Sequence, residues 1–387
     1  MPPKIPGLER SHFQVSSVKL SDFKTPVVLD VGSGLMKAGF AGHDLPITVF
    51  PPVVGRVKME RVLNRCVPRE IYVGHEAQHA RSTLTLKYPM HHGNVTDWAD
   101  LEQIWQYTFY NQLRVNPEEH PVMLTETAMD RKSKSQMAEV MFEVFQVPFT
   151  FVAVQAALAL YSSGRTTGVV FSSGDEVTYT LPIYEGYALH HAVQRVDLAG
   201  QDLTNYLRKL LEKKGALQAS AKREIVQQMK EKCCYVAINA DVEPFSDVPY
   251  TLPDGQTIIL GDERFRTAEV FFKPQLTGKH TYGVHESLVR SLLRSDVDLR
   301  KTFAENIVLS GGSSQLPGFS LRLQNEICSM MPLDLVDSVS VAVLPDNEFA
   351  AWIGGSSLAR LPSFDTAWIS RDEYYEFGSD IVYRRCF

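Results

Sequence analysis

Three apolar runs in this chain each end in a turn of small residues. PVVLD (26–30) enters VGSG (31–34), GVVFS (168–172) enters SGDE (173–176), and NIVLS (306–310) enters Gly311, Gly312, Ser313 and Ser314. Small residues at a strand turn let successive backbone N–H groups face one concavity, a nest for phosphate oxygens. Around the first turn, Asp30 can order a metal-bound water, Ser33 can donate to a phosphate and Lys37 can neutralise its charge. A single glycine turn more often only supplies positive φ to a hairpin. Recurrence of the design points further, to two opposed nests gripping a nucleotide triphosphate.

The elements that must hold these turns follow from the pattern. Residues 26–30 and 35–41 read as strand, turn, strand, and residues 168–172 and 177–183 repeat the unit, an internal duplication. Between them, residues 97–113 place Trp98, Leu101, Ile104, Trp105 and Phe109 near one helical face, and residues 134–145 do the same with Met137, Val140, Met141 and Phe145. Residues 201–213 and 220–232 also carry helical periodicity. Strands alternating with helices in two similar halves predict an α/β protein of two domains facing a cleft. Residues 1–24, with three early prolines, read as a flexible lead-in, with order beginning near Thr25.

Composition excludes several classes. The chain has 387 residues, 44% apolar and 22% charged, with 39 basic against 45 acidic side chains. That is the balance of a globular protein with a large core, without a clustered basic face for nucleic acid. Residues 147–161, the most apolar stretch, are too short for a membrane span and read as core. The N-terminus lacks an apolar signal-peptide centre. Five scattered cysteines, Cys66, Cys233, Cys234, Cys328 and Cys386, form no CxxC pair, so neither disulfide framework nor zinc site is expected and a reducing compartment fits best.

DVGSGLMKAGFAGHD (30–44) resembles the first phosphate loop of actin, and the similarity continues through LTLKYPMHHGNVTDW (84–98), FYNQLRVNPEEHPVMLTE (109–126), LYSSGRTTG (160–168), LPDGQTI (252–258), LSGGSSQLPG (309–318), WIGGS (352–356) and VYRRCF (382–387). Collinear identity on this scale identifies a member of the actin superfamily. MAEVMFEVFQVP, EFG and the RRCF ending look most like the testis-type actin-related proteins. The resemblance implies an actin-like α/β fold of duplicated domains around a central cleft. One lobe would span residues 25–163 with 351–387 returning to it, the second residues 164–350.

Carried over residue by residue, the resemblance implies nucleotide contacts at Asp30, Ser33, Gly34, Lys37, Gln155, Gly174, Asp175, Lys230, Glu231, Gly311 and Gly312. Other positions depart from actin. Val31 stands for asparagine, Ser172 for the aspartate associated with the metal's waters, Glu176 for a loop glycine and Tyr179 for the histidine thought to position the attacking water. Around the base, Gln227 stands for arginine, Leu316 for tyrosine and Glu348 for lysine. Glu176 puts a side chain where glycine is favoured and a charge toward a triphosphate, which at about 6 Å would cost roughly 3 kcal/mol per charge pair. Gln155 alone is a poor positioner of water. No catalytic residue or metal ligand is therefore expected, and no cofactor beyond weak ATP with Mg2+.

Partner surfaces are also implied by resemblance. Tyr161, Gly164, Thr166, Tyr187, Leu358 and Leu361 occupy positions of actin's hydrophobic groove, where cytoskeletal proteins, actin or other actin-related proteins would insert a helix. Ala367 replaces a methionine there and makes that end shallower. Against filament formation stand the basic loop 57–71, with Lys58, Arg61, Arg65, Arg69 and Cys66, a shortened stretch at 238–251, and Lys279 and His280 in the plug loop 276–283. The expected role is a non-enzymatic scaffold in the cytoplasm and cytoskeleton, at the sperm head by resemblance. The alternatives are an ATP-binding relative with residual ATPase and a nuclear subunit of a chromatin-remodelling complex.

Overall fold

The computed structural model describes residues 19–58, 71–127, 133–216, 223–252 and 254–386. Lys4, Glu9, Arg10, Glu60, Arg61, Arg65, Cys66, Arg69 and Glu70 lie outside them. The chain divides into two compact units. One comprises the chain up to Thr166 with Glu185–Ala188 and Phe349–Phe387, the other Thr167–Tyr184 with Leu189–Glu348.

In the first unit, strands β1 (Val27–Val31), β2 (Met36–Phe40), β3 (Thr48–Phe50), β4 (Val122–Glu126) and β5 (Phe149–Val154) lie in the order β5-β4-β1-β2-β3, with Ile369–Ser370 beside β5. In the second, β6 (Gly168–Ser173), β7 (Thr178–Tyr184), β8 (Gln194–Val196), β9 (Ile307–Ser310) and β10 (Val341–Val343) lie in the order β10-β9-β6-β7-β8. The two orders correspond strand for strand. In each, the leading strand is antiparallel to its hairpin partner and parallel to the strand on its other side. The duplication read from the two turns therefore extends through five strands. β1 and β6 are covered on both faces, which is why they read as continuous apolar runs rather than alternating ones.

Helices cover these sheets. Trp98–Tyr107 is capped by Asp97, whose carboxylate accepts from Asp100 N at 3.0 Å, and it buries Leu101, Ile104 and Trp105. The winding then loosens to a π turn over Thr108–Leu113, ending at left-handed Arg114 (φ 55°). Ser133–Glu139 likewise passes into a π turn over Val140–Val144. The helical faces expected at 97–113 and 134–145 are thus present, with a change of pitch that periodicity alone does not reveal. Helix Ala350–Leu358 crosses helix Gln155–Ser162 so closely that a Cβ on Gly354 would stand 1.8 Å from Leu158 O. This contact fixes the helix whose first residue is Gln155.

The first and last described segments are both tied into the first unit. Lys134 Nζ is buried between Glu126 Oε1 (2.9 Å) and the carbonyl of Cys386 (2.7 Å). At the other end, order reaches further back than Thr25. Leu20–Asp22 form a 3-10 turn, the Phe23 ring meets Phe149 edge-on at 5.8 Å, and Lys24 pairs with Glu119. Residues 19–24 are therefore anchored rather than part of a free lead-in.

The plug loop also differs from its expected character. Lys279 Nζ lies 2.6 Å from Asp202 Oδ1 and donates to Asp197 O at 2.5 Å, while the Arg290 guanidinium sits 3.6 Å over the Tyr282 ring. The Lys279 charge is neutralised within its own unit, and His280 is exposed. Among the described residues no helix is long and apolar enough to cross a membrane.

Candidate functional site

The first turn is a four-residue loop in which Gly32 N donates to Leu35 O at 3.0 Å. The hairpin register places Asp30 directly across from Lys37. Asp30, 1% exposed, has its whole carboxylate engaged: Oδ1 accepts from Thr125 Oγ1 (2.6 Å) and Gln155 Nε2 (2.8 Å), and Oδ2 pairs with Lys37 Nζ (2.8 Å). Charge-assisted donors on both oxygens make burial of this carboxylate tolerable. Gln155 Nε2 also lies 3.2 Å from Thr125 Oγ1, so Asp30, Lys37, Thr125 and Gln155 form one connected group. Ser33 Oγ accepts from Gly93 N at 3.2 Å, which leaves its O–H able to donate. Among the described residues no acceptor meets the N–H groups of Ser33 and Gly34, so this turn keeps the donors of an anion nest.

The second turn repeats the geometry with different chemistry. Gly174 N donates to Val177 O at 3.0 Å, and Ser172 faces Tyr179 in the register. Gly174 O accepts from Gly200 N (3.1 Å) and Ser313 Oγ (2.6 Å), and Gln201 N donates to Asp175 O at 2.7 Å. Gly200 and Gly311 are required by close approach: a Cβ on Gly200 would stand 2.6 Å from Ser313 Oγ, and one on Gly311 (φ 87°) 2.3 Å from Ser173 O. The turns at 174 and 311, far apart in sequence, thus meet within the second unit.

Side chains then close over this turn. Arg223 Nη2 pairs with Asp175 Oδ2 at 3.0 Å. The Gln201 amide, oriented so that both ends are satisfied, donates to Glu176 Oε1 at 2.9 Å and accepts from Arg223 Nη1 at 3.2 Å. Lys230 Nζ donates to Gly200 O at 3.2 Å. Burial pushes the Asp175 carboxyl above its ordinary pKa, with Arg223 and Lys230 pulling the other way. Burial also pushes the Lys230 ammonium down, against Glu231 and Asp175.

Two expectations about this turn need correction. Glu176 does not occupy a left-handed position. Positive φ falls elsewhere, so the residue carries no backbone strain and its effect is electrostatic alone. Its carboxylate is held by Gln201 rather than aimed freely at a ligand. Leu316, implied by the resemblance to stand near the base, is 8% exposed and packs with the core of the second unit.

The remaining positions are dispersed. Glu231 is exposed and accepts from Gln227 Nε2 at 3.0 Å. A Cβ on Gly312 would stand 3.8 Å from Glu348 Oε2. Of the groove residues, Leu358 is 5% exposed and part of the core, Tyr161 and Leu361 pack against that core, and Tyr187 is exposed. Thr166 O accepts from Gly186 N at 2.8 Å, joining 164–166 to the segment bearing Tyr187. Gly164 has φ 72° and open space around it. Ala367 is buried.

Thr125, Gln201 and Arg223 were not marked by sequence reasoning. A signal existed for Arg223, which shares one helical face with Gln227 and Lys230 at i, i+4 and i+7.

The comparison with protein families decides the assignment. The family model for Actin matches residues 21–387. This chain belongs to the actin family. Its two six-stranded sheets, alike over five strands, are the α/β halves expected of that family. The nucleotide implied by the resemblance suits the two turns unequally. The first offers free N–H groups and the Ser33 hydroxyl. The second keeps Gly174, Asp175 and Lys230 but adds the carboxylate of Glu176, a charge that counts against a polyanion there.

Proposed function

We propose that this actin-family protein is a non-enzymatic structural component that holds partners in a cytoskeletal assembly, with an ATP site too altered for turnover. One observation carries the reading: where the duplicated hairpin of the first unit pairs Asp30 with Lys37, that of the second pairs Ser172 with Tyr179. A serine and a tyrosine 3% exposed bring no ionised group to order water or metal, and Glu176 adds negative charge one turn away. No cofactor is required by such a role. Purified protein should carry no stoichiometric ATP through gel filtration and should release no phosphate at an actin-like rate; the reverse result overturns the proposal.

The resemblance of MAEVMFEVFQVP and the RRCF ending to testis-type relatives supports a place in the sperm-head cytoskeleton, with the first-unit positions Tyr161, Gly164, Thr166, Tyr187 and Leu361 receiving an apolar helix from a cytoskeletal partner, actin or another actin-related protein. Affinity purification from male germ cells tests this, and absence of the protein from those cells would sink it. A second reading, weak binding of ATP with Mg2+, is favoured by the first turn alone, which keeps Asp30, Ser33, Lys37 and its unoccupied N–H groups.

A further inference from the structure

The side chains over the second turn form a closed circuit. Asp175 and Glu176 are consecutive carboxylates on a tight loop, an arrangement that repels itself and leaves the loop under strain unless a cation is supplied. In a nucleotide-dependent site a bound metal and its ligand would contribute to the local charge balance. Here the protein supplies the balance from helices Gly200–Lys213 and Arg223–Cys233. Arg223 reaches Asp175 directly (3.0 Å) and Glu176 through the Gln201 amide (3.2 Å and 2.9 Å). The Gln201 main-chain N–H adds a 2.7 Å bond to the Asp175 carbonyl, so one residue fastens the turn through both backbone and side chain. Gly200, the residue before it, is held from the opposite side by Lys230 Nζ on its carbonyl, while its N–H is spent on Gly174 O.

From this geometry we propose that Arg223 and Gln201 are a resident clasp that keeps the second turn in its folded shape without nucleotide. The inference deepens the reading above: a turn ordered by its own side chains has no need of the ligand, and any anion arriving there must compete with Asp175 for Arg223. The clasp also explains how Glu176 is tolerated on the loop. Its charge is a member of the circuit rather than a defect in it. Gln201 is the joint, because its amide donates to a carboxylate with one end and accepts from a guanidinium with the other.

The test is hydrogen exchange by mass spectrometry on the full-length, nucleotide-free chain, read on peptides covering 172–180 and 198–206, beside Arg223→Lys, Arg223→Ala and Gln201→Ala. Gln201→Ala removes only the side-chain joint and keeps the backbone bond, so it should fold even where Arg223→Ala does not. The expected result is protection in the wild type, exchange faster by about tenfold in these two peptides in Gln201→Ala and in Arg223→Ala, and an intermediate effect in Arg223→Lys, which keeps charge but loses the fork. Exchange unchanged from wild type in Gln201→Ala and Arg223→Lys overturns the clasp. That outcome is separable from failure of the functional reading, which is decided by retained ATP and released phosphate in the wild type whatever the variants do.

Discussion

Ser172 stands across its hairpin from Tyr179 at the same register position that Asp30 and Lys37 occupy in the other half of the duplication. In both hairpins the pair sits two residues from the turn on either strand, so the comparison is between equivalent places in one repeated scaffold. One copy retains a buried ion pair and the other has two hydroxyls. The chemistry of the two halves has diverged while the backbone has not.

Lys37→Met should destabilise the first unit severely. It leaves the Asp30 carboxylate buried with only Thr125 and Gln155 as donors, a loss of about 3–5 kcal/mol for breaking a buried pair from one side. Denaturant unfolding measures it. A loss under about 1 kcal/mol would mean that the pair is not buried in solution as the structure has it.

Restoring the family's residues at the second hairpin should restore affinity. The triple variant Ser172→Asp, Glu176→Gly, Tyr179→His removes the loop carboxylate and returns the residues associated with metal waters and the attacking water. Calorimetric titration with Mg-ATP should show tighter binding in this variant than in the wild type. No gain would place the cause of weak binding elsewhere.

Gly354→Ala should cost about 3 kcal/mol or more, since the new methyl would overlap the Leu158 carbonyl and two helices would have to separate. Gly164→Ala, in open space at φ 72°, is the control and should cost only about 1 kcal/mol of backbone strain. Similar melting temperatures for the two variants would contradict the close crossing.

Cys234 and Cys386 should resist alkylation in the native protein. Burial pushes both thiols up to about 12. At pH 8 that leaves about one thiolate in ten thousand. Because the folded pKa is raised, the stability contributed by each neutral thiol is fully present below the unfolded value of 9.0 and is lost as pH rises from there to about 12. Intact-mass measurement after iodoacetamide, native against denatured, checks the first expectation, and alkaline melting curves check the second. Native labelling at either position refutes the burial.

Lys279→Ala should loosen the loop 276–283 without unfolding the protein. Its partners are partly exposed, so the cost is under about 1 kcal/mol, but hydrogen exchange in that loop should rise. We expect the pure wild-type protein to form no actin-like filament, and regular filaments by electron microscopy would refute this.

The turns, the duplication and the strand-helix alternation were legible in the sequence because each rests on local chemistry: an apolar run, a glycine, a repeat of both. The departures at Ser172, Glu176 and Tyr179 were legible by resemblance. What stayed hidden was tertiary. Nothing local tells that Gln201 bridges Glu176 to Arg223, since the three lie on separate elements that only folding brings together. The π turns escaped because they keep an apolar face while changing its pitch.

The carbonyl of Cys386 sits on Lys134, and β1 lies in the same unit as Phe349–Phe387. During synthesis β1 emerges more than three hundred residues before Phe349–Phe387. The second unit, whose residues all fall between Thr167 and Glu348, can complete its core while translation continues. The first must wait, with β1 to β5 made, until Ala350–Leu358 and the Cys386 latch have emerged. Throughout the synthesis of the second unit the chain therefore carries an unfinished half.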